Sequence, residues 1–402
     1  MSGGPRRPDD LRVYRSAGRD RRRWLGGVAA VAVLASALAA GAWAWSAGGG
    51  SGDAEVGAAP APSPSSVAAA SLSPSPSPTA TATPLKVIEI GWVGDTTPGS
   101  KYGLPPDGGR PLFARVRDQL RAPDLMIANL EGTYSEGGPS KCDDSDSKVC
   151  FAFQAPPSCA EALPWAGIDL VSLANNHTND YFASGLEQTK AALERNDVEY
   201  TGLPGQVTVV RVDGVRVAAL GFSPYSWNQS LLDIPAAEAL VRRAAKKADV
   251  VVVLIHAGAE GADETHTPEG TEYAFGENRG DSRAFAHAAV DAGADLVLGS
   301  GPHVIRGIER YRGKLIAYSL GNFAAWRTFG TGGTLGLSGL LTVKVDENGR
   351  VRGGRWLSLR LEPHGVPEVD SSHAAARLVR RLSDEDFAKT FRMDAKGNFT
   401  VP

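Results

Sequence analysis

Short apolar runs of strand length, each stopping abruptly in a polar cluster, recur along the chain from Leu85 onward. The run Ile168-Asp169-Leu170-Val171-Ser172-Leu173-Ala174 breaks into Asn175-Asn176-His177-Thr178-Asn179-Asp180. A β-rich run that gives way to amides, an imidazole and a carboxylate is how an open α/β sheet presents chemistry, at the carboxyl end of a strand. Ser184 with Glu187 three residues on has the spacing of a capping box, so a helix through Leu186, Thr189, Leu193 and Arg195 is expected next.

The same grammar repeats on both sides of this unit. Lys86 to Val93 reads as a strand running into Gly94-Asp95-Thr96-Thr97, and Asp124 to Ala128 as one ending in Asn129-Leu130-Glu131. Asp249 to Ile255 is an unbroken buried-strand pattern that ends in His256-Ala257-Gly258-Ala259-Glu260. A helix from Asp281 to Ala292, closed by Gly293, precedes a strand from Asp295 to Leu298 that ends in Gly299-Ser300-Gly301-Pro302-His303. One strand ending in a carboxylate means a turn or a helix cap; a series of them points to a shared site.

Other runs supply frame rather than chemistry. Asp213-Gly214 and Arg312-Gly313 sit between β-patterned pairs (Val207 to Val212 with Val215 to Leu220; Ile308 to Tyr311 with Leu315 to Ser319), the spacing of two-residue hairpins. A helix is expected from Pro235 to Lys247, and a hairpin from Gly339 to Val345 and Val351 to Leu361. The second of the two-residue hairpins delivers Leu320-Gly321-Asn322-Phe323, followed by a loop with Gly330, Gly332, Gly333 and Gly336, either a rim of the site or a plain connection. A short helix near Ala374 to Leu382 and the tail over 368–402 read as peripheral to a domain spanning 85–367.

The first 84 residues follow a different pattern. A basic stretch, 1–23, carries eight arginines and precedes an uncharged apolar run of 22 residues from Trp24 to Trp45. About 20 helical residues cross a bilayer, and aromatic residues favour the interfaces, as Trp24, Trp43 and Trp45 would. Basic residues ahead of the span keep the amino terminus inside, so the expectation is a single-pass signal anchor in the cell membrane with the following domain extracytoplasmic. A signal peptide cleaved among Ala37 to Ala42, releasing a secreted domain, is the other reading. The segment 46–84 is almost entirely Ala, Gly, Pro, Ser and Thr, a linker composition that buries no core.

Charge narrows the partners. The chain has 42 basic and 45 acidic residues, and because eight of the basic ones precede the span, the exported part is distinctly acidic. That argues against gripping nucleic acid by bulk charge. The three cysteines are Cys142, Cys150 and Cys159; in an oxidising compartment Cys142 and Cys150 either close a small loop or remain thiols of a surface insertion, and no zinc-type Cys-x-x-Cys spacing occurs.

Gathered from strand ends, Asp95, Glu131, Asn176, His256 and His303 form a mixed oxygen and nitrogen set suited to Mn, Fe or Zn rather than to a thiolate site. Glu131 is the natural carboxylate to bridge two ions. Metal-generated hydroxide and clamped phosphoryl or acyl oxygens are the chemistry such a set supports. His177 would be a general acid or base, oriented by Asp180.

Gly94-Asp95, Asn129-Leu130-Glu131, Leu173-Ala174-Asn175-Asn176-His177 with Asp180, His256-x-Gly258-x-Glu260, Pro302-His303-Val304 and Tyr318-Ser319-Leu320-Gly321-Asn322-Phe323 resemble, in order and spacing, the poly-γ-glutamate capsule synthesis protein family of the CapA type. That family is similar in fold to calcineurin-like metallophosphoesterases, so the resemblance implies a four-layer α/β/β/α sandwich over roughly Val87 to Phe323. It also implies metal roles for Asp95, Glu131, Asn176, His256 and His303, a proton-transfer role for His177 with Asp180, and places for Asn129, Asn175, Glu260 and Asn322 around them. Two positions depart from the phosphoesterase pattern: Thr97 stands where a histidine follows the first aspartate, and Ser300-Gly301 precede Pro302-His303 without the usual histidine. The residues therefore leave one or two ions open. The implied function is a membrane-tethered metal-dependent hydrolase of capsule polymer synthesis, cutting a phosphoester or an envelope polymer. The alternative is a non-catalytic accessory or export subunit that binds the polymer or its membrane-embedded synthetase.

Overall fold

The computed structural model describes residues 12–14, 84–100, 102–145 and 150–401. The apolar run 24–45 and the linker lie outside them; among the described residues no helix is long and apolar enough to cross a membrane.

In chain order, β1 (Val87–Thr97), β2 (Leu125–Leu130), β3 (Leu170–Ser172), helix α1 (Phe182–Arg195) and β4 (Glu199–Thr201) come first, the four strands lying parallel. The chain then builds a second sheet from the hairpin β5 (Thr208–Val212) and β6 (Val215–Phe222), helix α2 (Ile234–Ala245) and β7 (Val250–His256). A small hairpin, β8 (Glu272–Ala274) and β9 (Glu277–Gly280), leads into helix α3 (Ser282–Asp291), β10 (Leu296–Ser300), β11 (Ile308–Tyr311) and β12 (Lys314–Ala317). Finally β13 (Asn322–Ala325), β14 (Leu337–Asp346), β15 (Val351–Glu362), β16 (Val366–Val369), helix α4 (Ala374–Asp386) and β17 (Asn398–Thr400) return to the first sheet.

The spatial orders are β16-β15-β14-β1-β2-β3-β4, with β13 on β1 and β17 on β15, and β5-β6-β7-β10-β12-β11, with a three-residue strand Arg12–Tyr14 beside β5. Alternation along the strands explains how the sheets stack. Ile88, Ile90 and Trp92 of β1 share one buried core with Val252 and Leu254 of β7, Leu296 and Leu298 of β10, and Trp356 of β15, so the sheets pack face to face. On the far face of the first sheet, Met126, Ala128 and Val171 pack with Ala192 and Leu193 of α1. On the far face of the second, Val251, Val253 and Val297 pack with Leu240 and Val241 of α2 and Phe285 of α3. The resulting order is helix, sheet, sheet, helix.

Both two-residue hairpins form as the sequence predicts. Asp213 and Gly214 (φ 47° and 87°), like Arg312 and Gly313 (φ 47° and 82°), are left-handed at both central positions, which matches the twist of the paired strands. Two expectations are overturned. The capping box does not form: α1 starts at Phe182, and the Gly185 N–H already donates to the Tyr181 carbonyl at 2.8 Å, so Ser184 is inside the first turn and cannot cap it. The carboxy-terminal helix is not peripheral. Ala375, Ala376, Val379 and Leu382 of α4 enter the core between the sheets, and β17 pairs with β15. Its amphipathic stripe is short and set among arginines and acidic residues, which hid its apolar face.

Truncating Leu382 to Ala is predicted to cost about 2–5 kcal/mol in urea unfolding, the range for emptying a closed core site. Arg380→Ala on the exposed face of the same helix is predicted to change stability by less than about 0.5 kcal/mol.

Candidate functional site

The carboxyl ends of β1, β2 and β3 in one sheet meet those of β7 and β10 in the other, joined where the Trp92 indole donates to the Gly299 carbonyl at 3.1 Å. Asp95 reaches this junction through a bulge. Pairing of β1 with β2 slips between Val93 and Asp95, and the residue between them is Gly94, where an added Cβ would lie 2.0 Å from the Gly321 carbonyl oxygen. Only glycine lets the two backbones close this far, and the bulge re-aims the aspartate that follows. The Asp95 N–H then donates to that same Gly321 carbonyl at 3.1 Å.

Asparagines tie the aspartate to the rest. Asn129 Nδ2 donates to Asp95 Oδ1 at 2.8 Å and Asn175 Nδ2 to Asn129 Oδ1 at 3.1 Å, while Asn175 Oδ1 accepts from the His177 N–H at 3.0 Å. This chain of amides, wholly buried, fixes the strand ends relative to one another.

Asp95, Glu131 and His256 are all buried, and each offers a ligand atom within 4.8 Å of the others. Glu131 Oε1 is 3.5 Å from His256 Nε2. His303 Nδ1 is 3.3 Å from Asp95 Oδ2 and 2.8 Å from Asn322 Oδ1, and its Nε2 is 3.6 Å from Glu260 Oε2. Its backbone is left-handed (φ 62°), a conformation a non-glycine residue keeps only where the surroundings impose it. Asn176, His177, Glu260 and His303 face a cleft of about 500 Å³. His177 Nδ1 is 2.8 Å from Asp180 Oδ2, and its ring stacks on Phe153 at 4.1 Å. All eleven positions singled out in the sequence therefore belong to one neighbourhood: the tight cluster is Asp95, Glu131 and His256, His303 joins it through Asp95, and Asn129, Asn175 and Asn322 orient the others.

Burial and the nearby Asp95 carboxylate push the Glu131 carboxyl well above its usual range. Burial, reinforced by the positive charges of Arg279 and His303, holds His256 well below the usual imidazole value, so its ring is neutral. Burial opposes a charge on His303, yet Glu131, Glu260 and Asp95 push it up to about 10. Burial lowers His177, with Asp180 working in the opposite direction.

The donor set fits a divalent cation. Both carboxylate oxygens of Glu131 and the amide oxygen of Asn176 are buried without a hydrogen-bond partner. Unpaired buried acceptors are costly. The orphaned Glu131 oxygens lie with the neutral imidazole of His256, and such donors are what Mn, Fe or Zn takes as ligands.

The structure adds residues the sequence did not single out. Arg279, at the end of β9, is buried with Nη1 2.6 Å from Glu260 Oε1, an ion pair off the hydrogen-bonding angle, and Nη2 3.4 Å from His256 Nε2. Lys141 Nζ makes a similar ion pair with Asp180 Oδ1 at 2.7 Å. Cys142 and Cys150 form a disulfide, and Cys159 is a buried free thiol. Adjacency to Cys142 was the available signal for Lys141; nothing in the strand-end pattern pointed to Arg279.

A profile of the family "Bacterial capsule synthesis protein PGA_cap" matches residues 89–326. The "Capsule biosynthesis protein CapA" of Bacillus anthracis is 30% identical over 233 residues, 53% of this chain and 53% of its own length, so this chain spans about half of that relative. The "PGA biosynthesis protein CapA" of Bacillus subtilis is 27% identical over 303 residues, 70% of this chain and 73% of its own. Among solved structures, the NAD nucleotidase of Haemophilus influenzae overlays 77% of this chain and 58% of its own at 10% identity, with a TM-score of 0.36, too low to compare sites.

Arg279→Met is predicted to cost about 3–5 kcal/mol in denaturant unfolding, because it strands the Glu260 carboxylate beside two others. Arg279→Met combined with Glu260→Gln is predicted to recover part of the loss, a coupling that a double-mutant cycle reads directly.

Proposed function

The chain belongs to the bacterial capsule synthesis protein family PGA_cap, and from that premise we propose that it is a divalent-metal-dependent hydrolase working in capsule polymer synthesis at the outer face of the cell membrane. The observation that carries this reading is the buried set Asp95, Glu131 and His256, with both Glu131 oxygens unpartnered. The layer order helix, sheet, sheet, helix fits the metallophosphoesterase type of fold that the motifs imply. The run 24–45 serves as the single-pass anchor and 46–84 as the tether, with a secreted domain if the run is cleaved.

Asp95, Glu131 and His256 would hold the ion, with Asn176 and His303 as further candidate ligands to it or to a second. The fixed charge of Arg279 beside His256 favours one ion over two. A bound divalent ion supplies electrophilic stabilisation of the substrate oxygen and a nucleophilic water at neutral pH. His177, kept neutral by burial, exchanges a proton with the leaving group or the water at Nε2, while Asp180 holds Nδ1. Phe153, stacked on His177, and Phe329, tilted against His303, make apolar walls that restrict water around the imidazoles. The substrate class is a phosphoester or an amide-linked envelope polymer such as poly-γ-glutamate, met at the membrane beside its synthetase.

A second reading, a non-catalytic accessory that binds the polymer or its synthetase, is favoured by one observation: the Arg279 guanidinium sits 3.4 Å from His256 Nε2, where it competes with a cation.

Full-length protein assayed on phosphodiesters, phosphomonoesters and γ-glutamyl amides is predicted to lose turnover on chelation and regain it with Mn, Fe or Zn. His177→Ala is predicted to lower kcat by about 10²–10⁴-fold with its metal retained, the usual contribution of a positioned acid or base. Polymer output unchanged in cells carrying Asp95→Ala and His177→Ala would favour the accessory reading.

A further inference from the structure

The Asp180 carboxylate is wholly buried, and two arms of one loop hold it. On the first arm, the Lys141 N–H donates to the Asp180 main-chain oxygen at 2.9 Å, and its Nζ lies 2.7 Å from Oδ1 while donating to the Asn176 carbonyl at 3.1 Å. On the second arm, the Phe153 N–H donates to Asp180 Oδ2 at 2.6 Å, and the Phe153 ring lies against His177. Each carboxylate oxygen is thus taken by a different arm, and Oδ2 is the one His177 Nδ1 meets at 2.8 Å. Lys141 precedes Cys142 by one residue and Phe153 follows Cys150 by three, so the Cys142–Cys150 disulfide joins the two arms at their base.

We propose that the Cys142–Cys150 disulfide positions the His177–Asp180 pair by joining the two arms that hold it, with Lys141 and Phe153 as the positioning residues. The proposal rests on reading that pair as the proton-handling unit of the site. A carboxylate gripped at both oxygens cannot rotate, so the imidazole keeps its proton on Nδ1 and turns Nε2 toward the cleft. Without the cross-link the two arms are joined only through the chain between Cys142 and Cys150, and the entropy of holding them together falls on their contacts with Asp180. Lys141 also holds the Asn176 main chain, so the same arm fixes the residue whose buried amide oxygen has no hydrogen-bond partner.

The test is the ring ¹H–¹⁵N signature of His177 in full-length protein labelled at histidine, assigned by comparison with His177→Ala. Wild type is expected to show an Nδ1-bound proton protected from exchange. Lys141→Met, Cys142→Ser with Cys150→Ser, and reduced wild type are each expected to lose that protected signal, and Lys141→Arg to restore it. Metal content is expected to stay near wild type in the Lys141 variants; Lys141→Met is expected to unfold at lower denaturant because it strands the buried Asp180 carboxylate, yet to remain folded under assay conditions, with kcat down about 10–100-fold and KM little changed for any substrate the protein turns over. An unaltered His177 signal in folded Lys141→Met would overturn the proposal, and that variant decides the matter even if the cysteine variant fails to fold. Absence of any hydrolysis by wild type together with a responsive signal would defeat the hydrolase reading and leave the positioning role standing; hydrolysis with an unresponsive signal would do the reverse.

Discussion

Three carboxylates, Asp95, Glu131 and Glu260, converge with two imidazoles at the junction of two sheets, and the Arg279 guanidinium is buried against them. Burying negative charge is expensive unless it is paired, and Glu131 has no hydrogen-bond donor at either oxygen. The protein on its own answers this by raising both the Glu131 carboxyl and the His303 imidazole toward their protonated forms. A divalent ion would answer it more completely, because Asp95, the orphaned oxygens of Glu131 and the neutral ring of His256 would hold it.

The fold exists in a form that makes this concentration of charge possible. Parallel strands put all their carboxyl ends on one edge, and packing two such sheets face to face brings two edges together. Close approach is achieved by removing side chains: Gly94 and Gly321 let β1 and the turn before β13 touch backbone to backbone, and the bulge at Gly94 turns Asp95 inward. The Gly-rich loop is a rim rather than a plain connection, since Phe329 lies on His303, Asn322 Nδ2 reaches the Leu335 carbonyl at 3.3 Å and Thr334 reaches the Ala262 carbonyl at 2.6 Å.

Much of this was legible in the sequence because strand ends are punctuated. An apolar run followed by Asp95, Glu131, Asn176 or His256 marks both the strand and what it carries, and the hairpins announce themselves through Asp213-Gly214 and Arg312-Gly313. What was hidden travels by other routes. Arg279 arrives on a small hairpin inserted between β7 and α3, outside the strand-end pattern, and reaches His256 only through the fold. Helix α4 read as peripheral because half its turn-by-turn positions are arginine or acid, although Leu382 and Val379 are core residues. Ser184 and Glu187 matched a capping pattern, but the tight turn ending at Asp180 starts the helix two residues earlier than that pattern allows.

The proposed hydrolysis and the role of His177 depend on Asp95, Glu131 and His256 holding a metal ion. Elemental analysis of purified full-length protein beside Asp95→Ala and His256→Ala tests it most directly. The account predicts near-stoichiometric Mn, Fe or Zn in the wild type and a loss of that metal in both variants. Wild-type protein free of metal even after reconstitution with each of the three ions would contradict it and make Arg279, rather than a metal, the counter-charge of the site.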